Sequence, residues 1–490
     1  MGVSELGATW LHGVDGNPAA ALLQRHGLVE SGRSAAGRPS VWLRSDGAAA
    51  DRSLIRRVCS AFQGAIQECE NGGVECDGVS VADHVRRAWG AERATILRDA
   101  GLAEDPAGRR ARELLDATWA YYESSQCAMD GCGTLAEQGV VSLQLFDELD
   151  GRNVPSRVLA GGFGAAMRAL ADEAIAAGAE IKTGAPAVSV HWGAAAEGGE
   201  GVRVGCVDGQ THRADAVCVA LPLPPLRRLL FEPPLPEYKT NVMETQLRLG
   251  QVEKLFVRFR RTGGGGAAQG AAACPSGVGP HPGGSGGSGS EGDGYSDSSG
   301  DSSGEGGGGV GALPRCIRFL WTADATAEEA AAAGSDDDTG SDWTRGLFAL
   351  CAAQGSTRED VLVGWLTGES AARTRGLTNE ELLTQLTVGL GCFLAQPQLQ
   401  GWVPDACRVT RWAESELSGG SYTFLTPDAS ADASELLAAP LEIPGGGPAV
   451  LFCGEATSHG LFGTVGGAML SGEREAERLL RAWGRAEATA

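Results

Sequence analysis

The sequence lacks the cysteine patterns that bind metals or hold small folds together. Its 13 cysteines are an odd number, and none of them forms a C-x-x-C pair or a Cys/His set at zinc-ligand spacing. These absences argue against a disulfide framework and against a metal site, and they favour a reducing compartment. No apolar run reaches the length of a membrane span, since the longest, 216–230, is broken by prolines and arginines.

Basic residues are scarce as well. Lys and Arg number 40 against 62 Asp and Glu, which gives a formal net charge of −22 at pH 7. Such a surface repels phosphate backbones and attracts cations, so no nucleic-acid partner is expected. The first residues contain neither the basic nor the apolar segment of a secretory signal, and the last three are not a peroxisomal signal. We therefore predict a cytoplasmic protein without a membrane partner.

Glycine is abundant, with 74 of the 490 residues. Much of it lies in 262–312, a segment made almost wholly of Gly, Ser, Ala, Asp and Pro. Such a segment cannot bury enough apolar surface to offset its ordering entropy, so it is predicted to be a disordered insert. It separates two apolar, alternating segments, 254–259 and 316–321, which we interpret as the strands of one hairpin with an expanded connection.

Outside the insert, the apolar residues follow helical and extended patterns in turn. Helices are predicted within 80–125, 158–176, 379–394 and 466–480. Extended segments are predicted at 186–192, 202–207, 214–221 and the apolar start of 449–457. The segments 202–207 and 214–221 flank an Asp-Gly turn signal, which predicts an antiparallel pair. The fold class is therefore mixed α/β, and the length of the chain favours two or more lobes.

A credible dinucleotide fingerprint is missing. The G-x-G-x-x-G pattern occurs at 284–289, inside the low-complexity insert, with no strand before it and no helix after it. A looser match at 131–136 also lacks a preceding apolar strand. Neither pattern is interpreted as a site for a pyrophosphate.

Three short motifs gain specificity when they are taken together. ELGATWLHG places His12 beside glycines in a loop, and GQVEKLFV places Lys254 within an apolar strand. FCGEAT puts Glu455 at a strand end, and TVGGAMLSG then begins a glycine-rich helix at Thr464. Backbone N–H groups at such a helix start can bind electron-rich ligand oxygens.

In this order the motifs resemble those of the flavin-containing amine oxidases, and in particular the polyamine oxidase group that oxidises spermine and N-acetylpolyamines. Further segments extend the resemblance over nearly the whole chain outside the insert: VLAGGF, PAVSVHW, GWLTGESA and RWAESELSGGSYTF. It implies a two-domain flavoprotein with FAD as cofactor. The implied FAD-binding domain is discontinuous, comprising 1–16, 155–236 and 434–485, and the implied substrate-binding domain comprises 17–154 and 237–433.

The resemblance also implies roles for individual residues. Lys254 would hold a water near flavin N5, and His12 would face the substrate amine and help to keep it neutral, as oxidation requires. Glu455 would contact FAD, and the N–H groups of Thr464 and Val465 would hydrogen-bond the isoalloxazine carbonyl. Read without the resemblance, these residues could instead be an outward-facing strand lysine, a loop histidine, a solvated turn carboxylate and a structural helix start.

The remaining implied site residues are mostly aromatic. Trp412 and Tyr422 would flank the flavin and wall the substrate channel, with Phe462 beside the substrate. Ala187 corresponds to the place where the backbone of relatives meets adenine. Aromatic residues at such positions are also often ordinary core residues, so that alternative stays open.

The sequence departs from the family pattern in three places. Relatives begin with a strand, G-x-G-x-x-G, a helix and a ribose-binding Glu, whereas this chain starts at the ELGATW segment. We expect the given sequence to be incomplete at its N-terminus, and the alternative is a remnant that binds FAD poorly. Gly419 stands where relatives usually carry Arg, and Leu461 stands at an aromatic position of the polyamine group.

The expected reaction is hydride transfer from a polyamine to FAD, followed by hydrolysis of the imine to an aldehyde and a shorter amine. Molecular oxygen would then reoxidise the flavin and yield hydrogen peroxide. Two alternatives stay open at this stage: another substrate, such as a monoamine, an L-amino acid or methylated lysine, and a non-catalytic remnant.

Overall fold

The computed structural model describes twelve separate stretches of the chain. They are residues 5–9, 11, 13–30, 38–99, 106–147, 158–159, 161–193, 201–262, 312–322, 342–353, 358–443 and 447–484. His12 and nearly all of the insert, 263–311, lie outside the described residues. The predictions made for both therefore stay predictions.

Helices make up much of the described chain. In chain order they are α1 Pro18–Arg25, α2 Arg52–Glu70, α3 Val81–Asp99, α4 Pro106–Asp130, α5 Val140–Leu145, α6 Gly162–Ala176, α7 Leu223–Arg228, α8 Glu237–Asn241, α9 Gly368–Arg373, α10 Asn379–Gly389, α11 Gly391–Leu394, α12 Ala433–Ala438 and α13 Val465–Ala482. Short irregular helical turns lie at Val242–Gln246, Trp343–Gly346, Pro397–Leu399 and Glu455–Thr457. None of the helices among the described residues is both long and apolar enough to cross a bilayer.

The strands are shorter. They are β1 Val29–Glu30, β2 Ser40–Arg44, β3 Val158–Leu159, β4 Ala187–Trp192, β5 Val202–Cys206, β6 Thr211–Ala214, β7 Val217–Val219, β8 Leu230–Glu232, β9 Leu247–Leu249, β10 Val252–Arg261, β11 Cys316–Leu320, β12 Ala349–Ala352, β13 Val361–Thr367, β14 Trp402–Val409, β15 Thr423–Leu425, β16 Leu441–Ile443 and β17 Gly447–Phe452. Together with the helices they confirm the mixed α/β class.

The largest sheet has six strands in the order β14-β10-β13-β12-β11-β2. Alternate residues of β10, including Leu255, Val257 and Phe259, point into an apolar core that α10 and α11 cover. Local sequence signals explain why α10 begins at Asn379. The Thr378 side chain accepts a hydrogen bond from the N–H of Glu381, and the Glu381 carboxylate accepts one from the N–H of Thr378. This capping box satisfies two N–H groups that the helix start leaves without intrahelical partners.

The predicted hairpin between 254–259 and 316–321 is wrong. Strand β10 has β13 on one side and β14 on the other, and β11 pairs with β12 and β2. Both edges of β10 are therefore taken by strands that come later in the chain. The pairing of β11 with β12 also places Cys316 opposite Cys351, and the two form a disulfide that the cysteine spacing did not indicate.

The other sheets have two to four strands. One has the order β6-β5-β4-β8, and another has the order β16-β17-β7, in which β17 and β7 run parallel. The expected antiparallel pairing of 202–207 with 214–221 is wrong: the antiparallel partner of β5 is β6, Thr211–Ala214, and β7, the strand within 214–221, pairs with β17. Helices α2, α3 and α4 pack together into a separate helical layer around Phe62, Val85 and Trp119.

The described N-terminal residues pack against one helix from the middle of the chain and against the last helix. Helix α1 packs against α6 and α13, and Leu11, Leu22 and Phe163 form one apolar cluster with Val465 at its edge. The starts of α6 and α13 are therefore brought close to the segment 5–9 and to the loop before α1.

Candidate active site

Lys254 anchors the N-terminal segment to the six-stranded sheet. Because strand residues alternate, its side chain lies on the opposite face of β10 from buried Leu255. Its Nζ donates to the carbonyl oxygens of Glu5 at 3.2 Å and Gly7 at 2.5 Å, and to Oγ1 of Thr9. Burial lowers the pKa of Lys254 to about 8. Lys254 is therefore a partly buried amine with fixed partners, and not an outward-facing strand lysine.

Glu253 is an organising residue that the sequence analysis missed. Its carboxylate is 4% exposed and accepts hydrogen bonds from Thr410 Oγ1 at 2.6 Å, Trp412 N at 3.0 Å and Ala413 N at 2.9 Å. These bonds hold the turn after β14 against the start of β10, next to Lys254. The available signal was a pair of adjacent charges in an apolar strand: consecutive side chains point to opposite faces, so at least one of the two charges had to enter the interior.

Trp412 also contacts the segment 5–9. Its Nε1 donates to the carbonyl of Leu6 at 3.2 Å. A Cβ on Gly7 would lie 3.4 Å from the indole, so the backbone there runs closely under the ring. The segment 5–9 is thus held by both Lys254 and Trp412, two residues that the family resemblance assigned to the flavin.

Tyr422 is fixed by the end of α4. Its hydroxyl donates to the carbonyl of Ala128, and burial raises the pKa of the phenol. The ring lies so close to Gly131 that a Cβ there would come within 2.8 Å of it. Its carbonyl accepts from Gly250 N at 2.8 Å, two residues before β10 begins. Lys254, Trp412 and Tyr422 are therefore joined through one stretch of chain, 250–254.

Glu455 lies in a buried turn after β17. Its carboxylate accepts from Thr423 Oγ1 at 2.6 Å and from Gly463 N at 2.6 Å. Burial raises its pKa, and these hydrogen bonds oppose the rise. The carboxylate thus links β15 to the loop that leads into α13 through hydrogen bonds, and it is not a solvated turn carboxylate.

The start of α13 is capped and closely packed. Thr464 Oγ1 accepts from Gly467 N at 2.9 Å and donates to the carbonyl of Leu461 at 2.8 Å. A Cβ on Gly466 would come 3.0 Å from Oδ1 of Asn17, the residue that caps α1. The close approach of the two helix starts therefore favours glycine at this position. The N–H groups of the first turn, Val465 among them, have no partner within the helix.

The donor set suits the ring end of FAD. Helix-start N–H groups can donate to the ring carbonyl oxygens, Lys254 supplies an amine, and Trp412 supplies an aromatic face. At Gly454, beside Glu455, a Cβ would meet no atom within 4 Å, so the turn has open space next to it. The cofactor-binding roles that the resemblance implies for Thr464, Val465, Trp412 and Lys254 stay predictions.

The structure places the remaining site predictions as follows. Ala187 is the exposed first residue of β4, in the four-stranded sheet. Phe462 is buried in the apolar cluster that contains Val450 and Phe452, with its ring centroid 5.7 Å from that of Phe146. The cofactor role of Ala187 and the substrate role of Phe462 stay predictions.

Gly419, where relatives usually carry Arg, has a local reason to be glycine. Its φ is +70°, and a Cβ there would come 2.7 Å from Cβ of Pro224. A side chain would thus be strained by the backbone and blocked by the proline. Leu461, the other substitution, is buried, and its carbonyl accepts the bond from Thr464.

Comparison with known proteins agrees with this architecture, which is that of a two-domain amine oxidase. A family model described as flavin containing amine oxidoreductase matches residues 2–347 and 318–480. The chain therefore belongs to the flavin-containing amine oxidoreductase family, and it is a FAD-dependent amine oxidase.

Individual relatives agree at lower identity. The chain is 26% identical to human peroxisomal N(1)-acetyl-spermine/spermidine oxidase, covering 98% of this chain and 86% of that protein. It is 25% identical to polyamine oxidase 1 of Oryza sativa subsp. japonica, covering 97% and 87%. A solved structure of a putrescine oxidase double mutant matches with a TM-score of 0.59 at 14% identity, over 96% of this chain and 87% of that one. At that identity the likeness shows the fold alone.

Proposed function

We propose that this protein oxidises polyamines such as spermine, spermidine or their acetylated forms, and releases an aldehyde, a shorter amine and hydrogen peroxide. The names of the human and rice relatives support a polyamine substrate. The formal net charge of −22 also favours a polycation, because an acidic surface raises its local concentration.

The observation that carries the proposal is the position of Lys254. Its amine donates to the carbonyls of Glu5 and Gly7, and Trp412 donates to the carbonyl of Leu6 in the same segment. Bound FAD supplies a hydride acceptor for the carbon next to the amine nitrogen. With its pKa lowered to about 8, Lys254 Nζ would exchange a proton beside the reacting atoms.

Two further elements support the arrangement. Glu253 holds the turn that bears Trp412 in place, so the Trp412 ring and the Lys254 amine keep a fixed relative position. Tyr422, fixed through its hydroxyl to α4, presents its ring from the adjoining strand end. Preorganised groups of this kind need no rearrangement during the reaction. His12, which would help to keep the substrate amine neutral, belongs to the same proposal.

The test is a peroxide-release assay on the purified full chain, after an absorbance spectrum has established that FAD is bound. Spermine, spermidine, their acetylated forms, putrescine, a monoamine, an L-amino acid and a methyl-lysine peptide are compared at equal concentration. We expect the highest kcat/KM with a polyamine. A flavin-containing protein that oxidises only a monoamine, an amino acid or a methylated peptide would contradict the polyamine proposal. A folded protein without flavin absorbance would favour a non-catalytic remnant.

A further inference from the structure

Two cysteines meet where β7 and β17 run side by side. Leu451 of β17 pairs with Cys218 of β7, and Cys453, two residues after Leu451, donates its N–H to the carbonyl of Val219 at 3.0 Å. Residues two apart along a strand point to the same face, so Cys453 shares a face with Cys218. The Cys218 thiol donates to Cys453 Sγ, with the two sulfurs 3.3 Å apart.

We propose that Cys218 and Cys453 form a redox-active dithiol that hydrogen peroxide oxidises to a disulfide. A disulfide has an S–S distance of about 2.05 Å, so the sulfurs have to approach by roughly 1.3 Å. Cys218 is exposed and Cys453 is partly exposed, so peroxide reaches the pair without opening the core. Peroxide is the product of the proposed amine oxidation, but the dithiol can react with peroxide from any source.

The hydrogen bond between the thiols assigns the order of attack. Accepting it lowers the pKa of Cys453; the Arg474 guanidinium acts in the same direction, and burial and the Glu475 carboxylate oppose the shift. The Cys453 thiolate attacks one peroxide oxygen, the O–O bond breaks, and the released hydroxide takes a proton to become water. The Cys218 sulfur then attacks the sulfenic acid, loses its proton and displaces the second oxygen as water. Two thiols and one peroxide thus give one disulfide and two waters.

Closing this disulfide would act on the proposed cofactor turn. Cys453 directly precedes Gly454, whose N–H donates to Ser471 Oγ of α13 at 2.8 Å. The next residue is Glu455, which ties Thr423 to Gly463. Since packed turns tolerate little displacement, drawing Cys453 toward β7 strains these bonds. We therefore expect oxidation to loosen the turn at 453–457.

The first measurement is cysteine mapping of the full-length protein, purified with its cofactor and reduced. Hydrogen peroxide is added directly, remaining thiols are alkylated, and peptides are analysed by mass spectrometry with and without a final reduction. We expect a Cys218–Cys453 cross-link that a dithiol reductant reverses, while buried Cys127 and Cys132 stay alkylatable after unfolding. Recovery of both Cys218 and Cys453 as free thiols at full peroxide exposure would overturn the proposal. Because peroxide is added, failure of the amine assay leaves this test intact.

Two single variants test the assignment of roles. Cys218→Ser should abolish the cross-link and let a sulfenic-acid trap label Cys453. Cys453→Ser should also abolish the cross-link, with several-fold less labelling at Cys218, because burial and the Glu475 carboxylate still raise the pKa of that thiol. Equal labelling in both variants would contradict the order of attack. Hydrogen exchange at 453–457 should increase on oxidation of the wild type and not of either variant; unchanged exchange in a cross-linked protein would contradict the effect on the turn.

Discussion

Two regions of the described chain place a lysine in the interior, at the start of β10 and at the junction of α8 with α12. Lys254 donates to the carbonyls of Glu5 and Gly7 in the N-terminal segment. Lys239 donates to the carbonyls of Leu436 at 3.1 Å and Leu437 at 2.6 Å, and its Nζ lies 4.1 Å from the Phe452 ring centroid. Burial lowers the pKa of Lys254 to about 8 and that of Lys239 to about 7.

The more strongly shifted lysine is the one with a structural role. Lys239 supplies donors to carbonyls in the last turn of α12, which the helix itself leaves without partners. Lys254 instead holds the segment 5–9, which Trp412 also contacts, among residues assigned to the flavin. A lowered lysine pKa therefore reports burial, and it becomes a sign of function only through the groups that the amine contacts.

The sharpest test of this contrast is Lys254→Met. The substitution keeps the length and packing of the side chain but removes the amine. We expect kcat for amine oxidation to fall on the order of 10²-fold, as for loss of a group that handles a proton. The free energy of unfolding should change little, because removal of a buried charge offsets the lost hydrogen bonds. Steady-state kinetics and denaturant unfolding measure the two effects, and unchanged kinetics would remove Lys254 from the proposed mechanism.

Lys239→Met is the matched variant, and its effect should depend on pH. An unfolded lysine has a pKa of about 10.4, so between about pH 7 and that value the unfolded chain binds more protons at this position. The stability that Lys239 contributes is thus fully present above about pH 10.4 and is lost as pH falls toward about 7. We expect the unfolding free energy of the wild type, relative to that of Lys239→Met, to increase as pH rises through this range. The kcat of the variant should stay within about twofold of the wild-type value.

Denaturant unfolding at several pH values checks this prediction. Glu475 and Arg478, the charged neighbours of Lys239, are present in both proteins, so the comparison changes only the amine. For Lys254→Met the same difference should begin to grow only near pH 8. A difference for Lys239→Met that does not change with pH would show that its amine is not held in the interior.

Glu253→Gln tests whether the Glu253 carboxylate stabilises the turn next to Lys254. The carboxylate accepts three hydrogen bonds, and an amide offers one acceptor oxygen while turning an N–H group toward donors. We expect a loss of about 1–3 kcal/mol in unfolding free energy, since a buried donor is left without a partner. Glu253→Asp, which keeps the charge, is the control and should keep more of the stability. Equal stability of wild type and Glu253→Gln would contradict the organising role.

Local sequence signals predicted elements better than their partners. The helix at 379–394 was recognisable because its acidic first turn and apolar periodicity are local, and the structure shows it as α10 and α11. The hairpin across the insert was wrong because an alternating pattern indicates a strand without saying which strand lies beside it. In the same way, β7 looked like a continuation of the β5–β6 sheet, whereas its partner β17 lies far along the chain.

The site shows the same limit. The resemblance singled out Lys254, Trp412 and Tyr422, and the structure joins them through 250–254. Glu253 was missed because its partners are 157 to 160 residues away, and no spacing rule reaches that distance. The contacts of Cys218 with Cys453, across 235 residues, were hidden for the same reason.

The smallest effect is expected for Tyr422→Phe. This variant tests whether the Tyr422 hydroxyl only fixes the position of the ring or also acts on the substrate. The hydroxyl donates to the Ala128 carbonyl, so its removal leaves a buried acceptor unpaired at a cost of about 1 kcal/mol. The ring stays in place against Gly131, and KM for the preferred amine should therefore change less than about threefold. Unfolding and steady-state kinetics are measured side by side. A large fall in kcat with unchanged stability would mean that the hydroxyl acts on the substrate, and the Lys254 region would then contain two functional polar groups instead of one.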